Sequence, residues 1–156
     1  MSRCNIAKKI FVEADTVYNS FLVSLLINRI LKSGKKTIAE KIVNKSFNII
    51  KTKTKRNPLI IFEKAIKNAS PIVEVKARRI GGSNYQVPIE VNSYRAMNLA
   101  LKWILQYSRK RFGRTMAIKL ASEIIDTANN IGNTIKKKEE THRMAEANKA
   151  FTHLKY

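Results

Sequence analysis

The stretch VEVKARRIGGSNYQVPIE, from Val73 to Glu90, decides how the rest of the chain is interpreted. Apolar and polar residues alternate on both sides of the Gly81-Gly82 pair, as they do in β-strands with one buried face and one exposed face. Glycine pairs supply the positive φ angles that tight hairpin turns require. The stretch therefore predicts two antiparallel strands, which form an arm over residues 72–91.

Such an arm needs support and has a charged tip. An isolated two-stranded hairpin is marginally stable in water, so it must lean on another part of the chain. Arg78 and Arg79 place two guanidinium groups beside the turn. Tyr85 has two interpretations from sequence, which are stacking on a nucleobase and cross-strand packing.

Helical periodicity dominates the chain on either side of the arm. Helices are predicted from about Val17 to Lys32, from Thr37 to the TKTKR run, from Pro58 to Ser70-Pro71, from Asn92 or Ser93 to the SRKR run, from Thr115 to Asn129-Asn130, and from about Asn133 to Leu154. The predicted fold class is mainly α, a six-helix body with an inserted two-stranded β-hairpin arm and a basic N-terminal tail. A length of 156 residues favours one domain over 1–156, with a flexible tail over 1–14 and a C-terminal helix within 133–156.

Three details of these helices depend on local signals. Asp15 or Thr16 is expected to cap the first helix, and Thr37 with Glu40 forms a T-x-x-E capping box for the second. In the last helix the apolar positions begin only after KKKEETHR. Its first half is therefore expected to bury little and to project from the body.

Charge is the extreme property of the composition. The chain has 31 Lys and Arg against 11 Asp and Glu, a formal net charge of +20 and a pI near 10.3. Such self-repulsion opposes folding, and a polyanionic partner that neutralises it would recover the lost stability. An anionic membrane is disfavoured, because the apolar faces are needed for a core and the longest apolar run is far below the roughly 20 residues of a membrane span.

The basic residues cluster at helix ends and loops. Between Arg29 and Arg56 ten basic side chains face only Glu40, and no acid occurs from Val91 to Ser122. No helix-turn-helix spacing, zinc finger or basic zipper is evident, and scattered basic patches suit a folded RNA that is recognised by shape and phosphates. RNA binding is thus favoured over DNA, while a DNA-compacting protein and an RNA-modifying enzyme stay open as competing classes.

Residues that could support catalysis or metal binding are few. His142 and Glu146 share a helix face but have no third ligand, so a surface polar pair is the simpler interpretation. Trp103 lies in an amphipathic helix, which favours core packing over base stacking. Cys4 is the single cysteine, which excludes an intramolecular disulfide and favours a reducing compartment. No catalytic residue, metal or cofactor is predicted, and the N-terminal segment reads as neither a secretory signal nor a transit peptide.

Three segments together carry a family resemblance: NRILKSGKKTIAEKIV, VEVKARRIGGSNYQVPIEV and KKKEETHRMAEANKAF. They closely resemble the family of small-subunit ribosomal protein number seven, bacterial type, with LASEIIDTANN between them. The likeness runs from about Asp15 to the end of the chain. The segments ARRIGGSNYQVPIEV and SRKRFGRTMA are most similar to plastid members of the family. This similarity predicts a plastid ribosome as the location, with a bacterial or other organellar ribosome as the alternative. Phe112 stands where proline is frequent in the family.

The resemblance implies a structural protein that binds the 3′ major domain of small-subunit ribosomal RNA and organises assembly of the subunit head. It further implies an arm near the exit-site transfer RNA and the messenger RNA path, and neighbouring proteins of the head and platform as partners. Arg78, Arg79, Gly81, Gly82 and Tyr85 form the part of the arm expected at the exit site. The residues expected to bind ribosomal RNA are Arg3, Lys8, Lys9, Arg29, Lys32, Lys35, Lys36, Lys76, Arg78, Arg79, Arg95, Lys102, Arg109, Lys110, Arg111, Arg114, Lys119, Lys136 and Arg143.

Overall fold

The structure of the protein, a computed structural model, describes residues 12–155. Within them the elements follow in the order α1 (Phe21–Ile30), α2 (Lys36–Thr54), α3 (Pro58–Ala69), β1 (Val73–Ile80), β2 (Ser83–Glu90), α4 (Ser93–Lys110), α5 (Met116–Ala128) and α6 (Asn133–Ala147), and a 3₁₀ helix (Lys149–Lys155) ends the order. The predicted mainly α class with an inserted hairpin is confirmed. Arg3, Lys8 and Lys9 of the predicted tail lie outside the described residues.

Three helices begin close to their predicted starts, and each has a side-chain cap. The side chains of Asn57, Asn92 and Thr115 accept N–H groups from the first turns of α3, α4 and α5, at 3.0, 3.4 and 3.5 Å. Such caps satisfy donors that have no partner inside the helix. Pro58 occupies the first turn of α3, where its missing N–H costs nothing.

The first helix is shorter than predicted. It begins at Phe21, and Ser20 rather than Asp15 or Thr16 stands at the N-cap. The Asp15 carboxylate instead accepts two backbone N–H groups in a separate turn, and Asn19 has a positive φ of 45°. A residue in the left-handed region cannot continue a helix, so the turn at Asp15 and the helix stay distinct.

The capping box predicted for α2 is absent. The helix begins at Lys36, Lys35 stands at the N-cap without a side-chain capping bond, and Glu40 lies 3.8 Å from Lys36 Nζ as an ion pair. Ile38 is one of the apolar residues that recur at helical spacing in this segment, a pattern that predicts a core-facing position, yet it is 51% exposed. The helix continues to Thr54, because polar residues on the outer face of a helix do not end it.

The core forms around α5, which packs against α2, α3 and α4. Phe47 sits between Tyr18 and Phe62, with ring centroids 5.0 and 5.5 Å apart. Trp103 is only 8% exposed, which confirms its predicted packing role. Of the apolar positions at helical spacing in α3, α4 and α5, Met97 is partly buried. The others are buried: Phe62, Ala65, Ile66, Ala69, Ala100, Leu101, Ile104, Ala117, Leu120, Ala121, Ile124 and Ala128.

The arm is the predicted two-stranded antiparallel hairpin. Val73 pairs with Glu90 and Ile80 with Ser83, and the two turn glycines have φ of 57° and 90°. Two successive positive φ angles are those of a tight hairpin turn that matches the twist of the strands. A further bond from Val91 N–H to the Ile72 carbonyl, at 2.9 Å, closes the base of the arm.

The C-terminal segment differs from its prediction in two ways. The α-helix ends at Ala147, where the Asn148 side chain donates back to the Met144 carbonyl at 2.8 Å, and a 3₁₀ helix follows. The first half of α6 is packed rather than projecting, since Thr134 and Ile135 are buried. The hydroxyl of Thr134 donates to a carboxylate on α5, a partner that helical periodicity alone does not reveal.

Candidate nucleic-acid interface

Most of the predicted RNA-binding cations within residues 12–155 have no carboxylate within salt-bridge distance. The ion pairs recorded there involve Lys36, Lys76, Arg95, Arg111 and Lys137. The predicted cations outside these pairs are Arg29, Lys32, Lys35, Arg78, Arg79, Lys102, Arg109, Lys110, Arg114, Lys119, Lys136 and Arg143. The structure thus leaves a large excess of positive charge available to an external polyanion.

A basic groove lies between the α1–α2 turn, the first turns of α2 and the end of α4. Lys32, Lys35 and Arg109 line this groove of about 660 Å³ together with the apolar side chains of Ile38 and Met116. No acidic residue lines it. The exposure of Ile38, which the sequence did not predict, therefore supplies an apolar wall inside a positively charged cleft.

The start of α2 strengthens the positive potential of this groove. Its first turn carries no acidic residue and no side-chain cap. The N–H of Lys36 donates to the Gly34 carbonyl at 2.9 Å, and no partner among the described residues is recorded for the N–H groups of Thr37 and Ile38. Such N–H groups and the helix dipole favour an anion. Ser33 and Gly34 adopt positive φ angles of 54° and 72°, which turn the chain so that Lys35 comes directly before the helix.

A second basic groove, of about 700 Å³, lies beside the end of α2. Lys51, Lys55 and Arg56 line it, and no acidic residue does. The sequence marks KTKTKR as a basic cluster, yet these residues are missing from the predicted binding set. Lys55 has a positive φ of 53° and ends α2, which turns the chain into the lining of the groove.

The side chain of Arg111 forms ion pairs within the protein. Its guanidinium donates to the carboxylates of Glu123 and Asp126 on α5, and Glu123 is fully buried while also accepting from Thr134. Burial opposes the charge of Arg111, but the two hydrogen-bonded carboxylates outweigh it and raise the pKa of its guanidinium. The role of Arg111 in RNA binding stays a prediction. In the structure its guanidinium holds the α4–α5 loop against α5.

Two further predicted cations also have partners within the protein. Arg95 makes a bidentate pair with Glu74 at 2.7 and 2.8 Å, which fastens β1 to α4, and Lys76 lies 3.6 Å from the same carboxylate. The hydrogen bond from Arg95 lowers the pKa of Glu74. Arg29 is half-buried and donates to Asn98, and burial lowers its pKa.

The arm presents an exposed tip and a supported base. Arg78 and Arg79 are exposed on β1, opposite Tyr85 and Asn84. The Tyr85 ring lies 5.4 Å from that of Phe151, so it packs on the C-terminal segment rather than across the strands. The 3₁₀ helix thus provides part of the support that an isolated hairpin lacks, and α4 and α6 provide the rest.

His142 has a structural partner at the base of the arm. Its Nε2 accepts the Ile72 N–H at 3.1 Å. Burial, followed by the charge of Lys138, lowers the pKa of His142, while Glu146 opposes the shift. Within residues 12–155 no group of three His, Cys, Asp or Glu side chains could hold a metal ion. In the same residues no helix combines the length and hydropathy of a membrane span.

Known proteins are similar to this chain over nearly its whole length. The family model described as Ribosomal protein S7p/S5e matches residues 2–149. The small ribosomal subunit protein uS7c of Trieres chinensis is 73% identical over 144 residues, covering 92% of this chain and 91% of its own. The small ribosomal subunit proteins uS7 of Microcystis aeruginosa and Gloeothece citriformis are 58% and 55% identical over 156 residues, covering both chains completely.

Proposed function

This chain belongs to the S7p/S5e family of ribosomal proteins, and on that premise we propose that it is a primary binder of the 3′ major domain of small-subunit ribosomal RNA. As a member of the family it is a structural component of the small ribosomal subunit and not an enzyme. Its proposed task is to organise assembly of the subunit head. The observation that carries the proposal is the acid-free basic groove lined by Lys32, Lys35 and Arg109.

The proposed mechanism is neutralisation of phosphate charge by cations fixed on a rigid body. Phosphates of a folded RNA repel one another, and cations held at fixed points lower that repulsion for one RNA fold more than for others. The two basic grooves lie near opposite ends of α2 and the exposed tip lies on the arm, so they can engage separate RNA segments. Such an arrangement favours a junction of several helices over a single duplex.

The arm is proposed to lie near the exit-site transfer RNA and the messenger RNA path. Two observations support this proposal: the Glu74–Arg95 pair holds the base of the arm, and Arg78 and Arg79 are exposed near its tip. The C-terminal segment beside the arm is proposed to face a neighbouring platform protein, and other head proteins complete the set of partners.

The location is a ribosome of plastid type, since the relative at 73% identity is a uS7c protein. Relatives from cyanobacteria support the bacterial alternative.

Salt dependence of binding tests the proposed function. If about eight phosphates are neutralised, log K for an in vitro transcript of the 3′ major domain falls with log salt at a slope of roughly −6 to −7. The transcript should also bind more tightly than heparin and duplex DNA at matched salt. A flat salt dependence, or equal affinity for all three polyanions, would refute specific ribosomal RNA binding.

A further inference from the structure

We propose that Phe112 stacks on an unpaired base of the bound RNA, so that the α4–α5 loop contacts a nucleobase as well as phosphates. The inference rests on the proposed function and adds to it a residue and a chemical mode of recognition. It comes from three features of one loop: exposure, fixation and charge.

The side chain of Phe112 is fully exposed, at 104% of its reference accessible area. Other large apolar side chains exposed within residues 12–155 keep part of their surface covered, the next being Ile72 at 71%. A single exposed apolar side chain needs no explanation by itself. The position of Phe112 within the loop supplies the explanation, because the residue before it is held in place and basic residues surround it.

The backbone on the N-terminal side of Phe112 is held by Arg111, whose side chain is clamped to Glu123 and Asp126 and whose N–H donates to the Ser108 and Tyr107 carbonyls at 3.2 Å. On the other side Gly113 has φ of 154°, and a Cβ there would lie 3.1 Å from Lys119 Cγ. The backbone is thus held on the N-terminal side of Phe112 and passes close to Lys119 on the other side, while the aromatic ring points into solvent. A backbone that is already held loses less conformational freedom on binding than a mobile one.

The charges around Phe112 select a nucleic acid. Arg109, Lys110 and Arg114 are exposed, and the two acids nearest the loop are occupied by Arg111. A nucleotide with an unstacked base joins a flat π face to a phosphate, and aromatic rings among cations bind that combination in single-stranded segments of RNA. A protein partner would instead need an apolar pocket rimmed by acids.

Phe112→Ala and Phe112→Trp test the inference in the full chain, with the 3′ major domain transcript as probe. Loss of one stacked base is expected to weaken binding about 5- to 150-fold, with an unchanged salt slope because no charge is removed. Phe112→Trp should keep the affinity, and its fluorescence should be quenched by the transcript and not by a fully paired RNA duplex. The wild-type chain gives the baseline for Trp103.

Ile60→Ala is the matched control, since Ile60 is 64% exposed on α3, outside the loop. It should leave the affinity within about twofold, in line with a loss of under 0.5 kcal/mol at an ordinary surface site. If wild type binds the transcript and Phe112→Ala binds equally well, stacking is wrong while the proposed function stands. Equal binding together with poor incorporation into subunits would assign Phe112 to a protein contact and also overturn stacking. Failure of wild type to bind would refute the proposed function itself.

Discussion

Replacing Arg111 with alanine should destabilise the fold even though Arg111 belongs to a basic surface loop. The change leaves the carboxylate of Glu123, which is fully buried, with only the Thr134 hydroxyl as partner. Removing one partner of a buried ion pair costs about 3 to 5 kcal/mol. Arg111 is 26% exposed and Asp126 is 38% exposed, so water recovers part of the loss. The expected cost is therefore near the lower end, about 3 kcal/mol.

Thermal unfolding of the free protein, followed by circular dichroism, measures this cost. For a domain of this size about 1 kcal/mol shifts Tm by roughly 2 to 4 °C, so the Arg111→Ala variant should melt about 6 to 12 °C lower. Arg111→Lys keeps the charge but loses the planar guanidinium that reaches two carboxylates. Its Tm should therefore lie between those of Arg111→Ala and wild type.

Arg109→Ala is the control, because it removes the same charge from an exposed position of the same segment. It should change stability by under about 0.5 kcal/mol and reduce the salt slope of RNA binding by about 0.7 to 0.9. Arg111→Ala, measured below its Tm, should leave that slope nearly unchanged. Equal Tm values for the two variants would refute the assignment of Arg111 to an internal clamp.

Three further predictions concern the arm and the first groove. Because burial lowers the pKa of His142 below its usual 6.5, its bond to the Ile72 N–H should contribute stability above about pH 6.5 and lose it as the pH falls through the lowered folded-state value. His142→Gln should flatten the dependence of Tm on pH over this range, and an unchanged profile would show that another group titrates. Replacing Lys35 and Lys36 together with alanine should weaken RNA binding broadly and reduce the salt slope by about 1.4 to 1.8, and an unchanged slope would remove both residues from the interface. Shortening the arm over Arg79–Gln86 should preserve the helical circular dichroism signal and abolish chemical protection of the RNA at the arm, whereas global unfolding would show that the arm stabilises the core.

Local signals were enough to predict the elements whose boundaries are set within a few residues. The Asn57-Pro58 pair defines the start of α3, and Gly81-Gly82 defines the hairpin, because capping and positive φ depend on adjacent residues. The start of α1 was wrong because Asp15 can cap a turn as well as a helix.

Tertiary partners explain what the sequence did not predict. The packing of α6 depends on the bond between Thr134 and Glu123, which are polar residues that a count of apolar positions ignores. The same Glu123 carboxylate accepts a hydrogen bond from Arg111, so Arg111 holds its loop instead of being a free surface cation. The exposure of Ile38 and the basic groove beside it depend on how α2 meets the end of α4. Charge placement was therefore predictable, while the division between internal and available cations was not.

The contact between Tyr85 and Phe151 makes the arm and the C-terminal segment thermodynamically linked. If a ligand at the tip favours the orientation that this contact holds, docking of the segment favours the same ligand by an equal free energy. A neighbouring protein that binds residues 149–155 would thereby favour one orientation of the arm without contacting the arm. A protein contact made at the C-terminal segment during subunit assembly would thus affect the affinity of the arm for its ligand.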